Sequence, residues 1–231
     1  MPADKTIVAV LRDPVLGAGV TTSALVSTVL MATLVVGPFY LARGLGLGPA
    51  LVGLAMSVGP AVVALTGVPA GRIVDRVGAE RMTALGLLGI GVGALGLSVL
   101  PLGAGVWGYV GANVVVTAGY ALFQTANNTA VMRDVPSERR GAISGLLNLS
   151  RNLGLVTGAS VMGTVFALGS GASAVAAADA TGVAMGMRLT FAVAAALILV
   201  ALAVVAASRG TLGSGAPRGQ WRAPSASVAA R

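Results

Sequence analysis

The sequence predicts an all-α integral membrane protein of six transmembrane helices, and three observations carry that expectation. The 231 residues are 56% hydrophobic and 10% charged, with mean hydropathy +0.91, too little polar surface for a water-facing globular domain. The charges cluster between long uncharged runs, and six of these reach the roughly 20 apolar residues that a helix needs to cross hydrocarbon. Finally, the 34 glycines lie within those runs as well as at turns, as expected where helices associate in lipid through close backbone approach.

The predicted spans are 15–41, 48–70, 82–101, 106–131, 141–168 and 188–208. Their limits fall at breakers: Asp13-Pro14 before span 1, Gly46 to Pro49 before span 2, Pro101 to Gly105 before span 4 and Pro136 before span 5. Span 1 is too long for a cleaved signal peptide, so residues 1–14 read as an N-terminal segment and 15–208 as the bundle. The stretch 169–187 reads as a small-residue outer loop, and 209–231 as a disordered basic tail whose Trp221 and arginines touch anionic lipid. The pairs Gly89/Gly93, Gly141/Gly145 and Gly154/Gly158 are candidate helix contacts.

The basic residues set orientation. Lys5, Arg12, Arg72, Arg76, Arg81, Arg133, Arg139, Arg140, Arg209, Arg218, Arg222 and Arg231 fall on one side of the six-span plan, Arg43 and Arg188 on the other. The positive-inside rule then puts both termini in the cytoplasm, and the expected location is the cell (inner) membrane. Trp107 and Tyr109 suit an interfacial position at the outer end of span 4. The net charge of +8 is explained by this orientation, without a nucleic-acid partner. With no cysteine and no histidine, thiolate and imidazole metal sites, Cys nucleophiles and Ser-His pairs are excluded. No enzyme, metal or cofactor is expected.

Between spans 2 and 3 the chain reads Gly71-Arg72-Ile73-Val74-Asp75-Arg76-Val77-Gly78-Ala79-Glu80-Arg81. A glycine, an Asp-Arg pair and a second glycine in a tight basic turn resemble the signature loop of the major facilitator superfamily. Ala79 and Glu80 depart from it where the family usually has bases. The stretch Asn127 to Gly163, with Val135-Pro136, Arg139-Arg140-Gly141, Ser144-Gly145, Asn148, Arg151, Gly154 and Gly158, resembles the C-terminal six-helix half of the multidrug/proton antiporter branch. With Gly37 to Leu41 closing span 1, the resemblance covers residues 10–207.

The resemblance implies one half of a major facilitator fold, two inverted three-helix repeats, with a small-molecule substrate bound against a second six-helix bundle. Spans 1 and 4 would line the cavity, spans 2 and 5 would face the partner bundle, and spans 3 and 6 would face lipid. It further implies that Gly71, Asp75, Arg76 and Gly78 form a conformational gate, Asp75 meeting a helix N-terminus of the other half.

The residues support that plan independently. Asn113, Thr117, Tyr120, Gln124, Asn127 and Asn128 fall within an arc of about 100° on span 4, either lining a substrate path or making interhelical hydrogen bonds. Ser144, Asn148, Arg151 and Asn152 share an arc of span 5, and Arg151 lies ~16 Å of helical rise beyond Arg140. At that depth an arginine either faces a cavity or partner, or snorkels to the interface. Ser23, Ser27, Thr21 and Thr28 of span 1 are weaker signals, since such hydroxyls commonly satisfy helix backbone. Every acidic residue lies in a tail, a loop or a span end, so no carboxylate is placed for proton coupling at depth. Two readings result: the C-terminal half of a secondary exporter of drug-like molecules or metabolites, proton-coupled only when joined to an N-terminal half, or a transport-inactive interaction or regulatory protein derived from one. The second bundle is an N-terminal half or another copy of the chain.

Overall fold

The computed structural model describes residues 13–171 and 179–213, and among these there are six long apolar helices and no strand. They are α1 (Pro14–Phe39), α2 (Pro49–Val77), α3 (Ala79–Ser98), α4 (Gly105–Met132), α5 (Arg140–Ser170) and α6 (Ala180–Gly213). Sequence chemistry sets several ends. Asp13 caps α1, its Oδ1 accepting from Val15 N at 2.9 Å and Leu16 N at 3.2 Å, with Pro14 in the first turn where its missing N–H costs nothing. Helix α1 runs through Pro38 and widens into a π-helical turn over Tyr40–Gly44.

Three expectations are corrected. The stretch after span 2 is not a loop: Gly71 to Val77 are the last turns of α2, and α3 begins at Ala79. Gly78 alone makes the joint at φ 101°, a backbone conformation that L side chains rarely adopt. Span 6 starts at Ala180 rather than 188, so much of the expected outer loop is helix. Arg188 lies inside α6 and donates to Leu100 O at 3.2 Å from Nε and 3.1 Å from Nη2, tying it to the end of α3. Helix α6 also continues to Gly213, past the expected start of the tail. The rest of that tail, Trp221 included, and residues 1–12 lie outside the described residues.

The packing repeats. Helix α1 packs on α5 and α6, as α4 packs on α2 and α3; α1 crosses α4, and α3 packs on α6. Exchanging α1 with α4, α2 with α5 and α3 with α6 maps these pairs onto themselves, as two three-helix repeats require. Glycines make the two tightest seams. On the α3–α4 seam a Cβ at Gly119 would stand 2.7 Å from Ile90 N, and Gly89 and Gly93 face the same helix. On the α1–α5 seam a Cβ at Gly158 would stand 2.7 Å from Thr28 O, and one at Gly154 would strike Ala24 O. Thr28 Oγ1 donates to Gly154 O at 3.0 Å across that seam. The third pair, Gly141 and Gly145, meets nothing within 4 Å.

Burial divides the helices. In the most apolar window of each, 11% of α2 and 28% of α5 are buried, against 39–56% for the others, so α2 and α5 are the least packed. The exposed residues of α3 within its span are all apolar, Leu85, Leu88, Val92 and Leu95, and α6 exposes Leu189, Leu199 and Val200. Helix α5 instead exposes Ser144, Asn148, Asn152, Thr157, Ser160 and Thr164 beside its leucines and valines.

Candidate functional site: a polar recess between α1, α4 and α5

The polar stripe of α4 is one face in sequence but two environments in space. Asn113 and Thr117 are buried and face α2, next to Gly59. Thr117 Oγ1 returns to its own helix, donating to Asn113 O at 2.9 Å, whereas Asn113 Oδ1 is buried without a hydrogen-bond partner. The other four residues lie farther along α4, toward α1 and α5.

There Tyr120, Gln124, Asn127 and Asn128, with Phe123, line a shallow recess. Ser23 and Ser27 of α1 and Arg151 of α5 complete it. The recess holds no water-sized void as it stands, so entry of a ligand requires side chains such as Gln124 and Arg151 to move. Asn127 is fixed: its Nδ2 donates to Gly19 O at 3.2 Å and to Ser23 Oγ at 3.0 Å, joining α4 to α1. Such interhelical bonds contribute about 0.6 to 1.7 kcal/mol each. Asn127 therefore makes the interhelical bonds open to the stripe and also borders the recess. Tyr120, Gln124 and Asn128 are half-buried.

Arg151 is half-buried, and its Nε donates to Leu147 O at 3.4 Å, a long contact one turn back along its own helix. Ser150, beside it, donates to Val20 O at 2.5 Å and locks α5 to α1. Asn148 lies outside the recess, exposed on the adjoining face with Ser144 and Asn152. Ser23 and Ser27 carry more of the site than their sequence signal suggested. Their spacing of four residues on one face of α1 was the available clue.

The gate residues are separate. Asp75 and Arg76 are exposed on the last turns of α2, and a Cβ at Gly71 would meet nothing within 4 Å. No described carboxylate lies deep in a helix: Asp13, Asp75, Glu80, Asp134, Glu138 and Asp179 are all at or beyond helix ends. Nearby, Arg209 near the end of α6 donates to Glu80 O, which brings that end of α6 to the α2–α3 joint. One aromatic expectation is corrected. Trp107 is 82% exposed, as an interfacial residue would be, but Tyr109 is fully buried. It stacks on Tyr40 at 5.7 Å between ring centroids, and its hydroxyl meets Met56 Sδ at 3.8 Å. A buried ring of this kind takes its hydroxyl partner inside the protein rather than at the interface.

The model of the Major Facilitator Superfamily matches residues 2–159. The chain belongs to that superfamily. It is thus a multi-pass membrane protein of a transporter family rather than an enzyme. Among its relatives, the Uncharacterized transporter YebQ of Escherichia coli K12 is 30% identical over 162 residues, 70% of this chain and 35% of that protein. The Multidrug efflux pump LfrA of Mycolicibacterium smegmatis is 26% identical over 102 residues, 44% of this chain and 20% of the pump. This facilitator chain therefore spans about a third or less of the length of these two relatives.

Solved structures agree on the fold. A peptide transporter POT in complex with sulfate superposes with a TM-score of 0.65 at 21% identity, covering 83% of this chain and 37% of that one. A bacterial homologue of the iron transporter ferroportin, in an outward-facing state, gives 0.62 at 17% identity, covering 87% and 47%. Six helices in two mutually exchanging triplets, matching less than half of each larger chain, are consistent with a half-bundle of the facilitator fold.

Proposed function

We propose that the chain works in membrane transport as the C-terminal half of a secondary active exporter of small molecules, drug-like or metabolite, coupled to protons only when joined to an N-terminal half. The observation that carries this reading is the asymmetry of the bundle. The two least buried helices, α2 and α5, each expose two glycines that meet nothing within 4 Å, Gly53 and Gly67 on α2 and Gly141 and Gly145 on α5, where α4 exposes one, Gly111. Small residues facing open space fit a second bundle packed against them. The polar recess lies beside that flank, at α5, so the second bundle would close a cavity whose walls include Tyr120, Gln124, Asn127, Asn128 and Arg151. Asn113 and Thr117 extend the same path along α4.

The exposed Asp75 fits a gate contact with the second bundle, where a carboxylate favours a helix N-terminus. In this reading the chain sits in the inner membrane, and its arginine distribution supports an orientation with both termini cytoplasmic. Proton coupling is assigned to the joined form because no described carboxylate lies at depth.

The experiment is reconstitution in liposomes with a pH gradient and drug-like substrates, alone and after co-expression with an N-terminal six-helix bundle. Gradient-driven uptake only in the joined form supports the reading. Saturable uptake by a monomer overturns it, and inactivity with every partner bundle favours the regulatory alternative.

A further inference from the structure

The recess carries one positive charge and, among the described residues, no negative one. Resting on the cavity reading above, we infer that it takes the anionic group, a carboxylate or an equivalent oxyanion, of a small organic substrate, with Arg151 as its ion partner. The lining is a donor set for an oxyanion: the guanidinium of Arg151, the amides of Gln124 and Asn128, and the hydroxyls of Ser27 and Tyr120. Arg151 uses one N–H on Leu147 O, at 3.4 Å, and no carboxylate of a described residue pairs with its other donors. Charge-assisted bonds from a guanidinium to a planar carboxylate are the strong, geometrically matched use of such a group.

The described acids nearest along α4 and α5 do not substitute for a substrate. Glu138 is ~20 Å of helical rise from Arg151, and Asp134 is ~21 Å from Tyr120 along the continuation of α4. Snorkelling does not satisfy the arginine either. Its backbone partner Leu147 is still ~10 Å of rise inside the start of α5. A cationic substrate would add like charge at a poorly screened position, and a neutral one would leave the guanidinium without a counter-charge. An anion alone both satisfies the donors and offsets the charge.

The test uses the complete chain in lipid nanodiscs with Gln124→Cys as its single thiol, read by labelling with a neutral maleimide. The probes are three matched molecules: naphthalene-2-carboxylate, its carboxamide, and 2-naphthylmethylammonium. The carboxylate is expected to protect the thiol at concentrations about ten-fold or more below the amide, with no protection by the cation. Adding Arg151→Gln should abolish the preference, whereas Arg151→Lys should keep part of it. Equal protection by all three probes, preference for the cation, protection by none, or a carboxylate preference that survives Arg151→Gln overturns the proposal. So does dissociation of a dimer on Arg151→Gln, which would place the anion on a second protein chain. A thiol that never labels without a probe would instead sink the cavity reading itself, so the two failures are distinguishable.

Discussion

The flank formed by α3 and α6 differs from the flank formed by α2 and α5 in chemistry as well as in packing. Both expose apolar side chains, but beyond its first turn α3 exposes only apolar ones, whereas α5 adds Ser144, Asn148, Asn152 and Thr157, and α2 adds Ser57 and open glycines. Lipid accepts the first surface at no cost. It accepts the second poorly, because amide and hydroxyl groups without partners in hydrocarbon each cost on the order of kcal/mol. The lesson is that the chemistry of the exposed face differs helix by helix, although every helix is apolar enough to span a membrane.

Substitutions sharpen that contrast. The largest effect is expected for a charge on the lipid flank: Leu88→Asp should cost about 2.5–3.5 kcal/mol of insertion or stability, as for a charge at the helix centre. Asn148→Asp on α5 should cost less once a second bundle is present, and equal losses of folded protein on size-exclusion chromatography would break the distinction. Next are the glycine seams. Gly154→Val drives a side chain into the α1 backbone and should lose about 1–3 kcal/mol, while Gly145→Val, on the open face, should leave the isolated chain as stable as the parent. Thermal melts of the two variants compare them directly.

A smaller change is expected at Asn127→Ala, which removes both bonds to α1 and should cost about 1–2 kcal/mol. Gln124→Ala, at a side chain that makes no bond to another helix, should leave the melt unchanged. The smallest concerns Asp179, whose carboxyl is held below its ordinary value of 3.8 by the Gly182 amide and the Thr181 hydroxyl. Because the folded value is depressed, that cap is fully present above pH 3.8 and is lost as pH falls below it. Amide exchange at the start of α6 should rise over that acid range and stay constant at neutral pH.

Much of the fold was legible because lipid imposes one rule, a long apolar helix per crossing, and all six spans obey it. The errors came where that rule is silent. Ala180 to Met187 is small and weakly apolar, and Arg188 looked like a boundary, yet the helix continues through it while two of its N–H groups donate to Leu100 O. The basic turn at 71–81 looked like a loop because charged residues also suit exposed helix, and only Gly78 bends. At the site, helical periodicity found the α4 stripe. It did not foresee the division between α2 and the recess, since which neighbour a helix meets along its length depends on crossing geometry. Tyr109 was misplaced for the same reason: its partner, Tyr40, is far away in sequence.

The central claim, that α2 and α5 face a cavity and second bundle while α3 and α6 face lipid, is tested most directly by thiol accessibility. The chain has no native cysteine, so single cysteines at Ser144, Asn148 and Asn152 can be compared with cysteines at Leu88, Val92 and Leu95, using a water-soluble maleimide on membranes. Val77→Cys and Ser137→Cys, expected to react only from the cytoplasmic side, serve as orientation controls. The account predicts that the α5 positions label, with the deepest slowed by co-expression of an N-terminal bundle, and that the α3 positions stay unreactive throughout. Labelling of Leu88→Cys as fast as Asn148→Cys would contradict it.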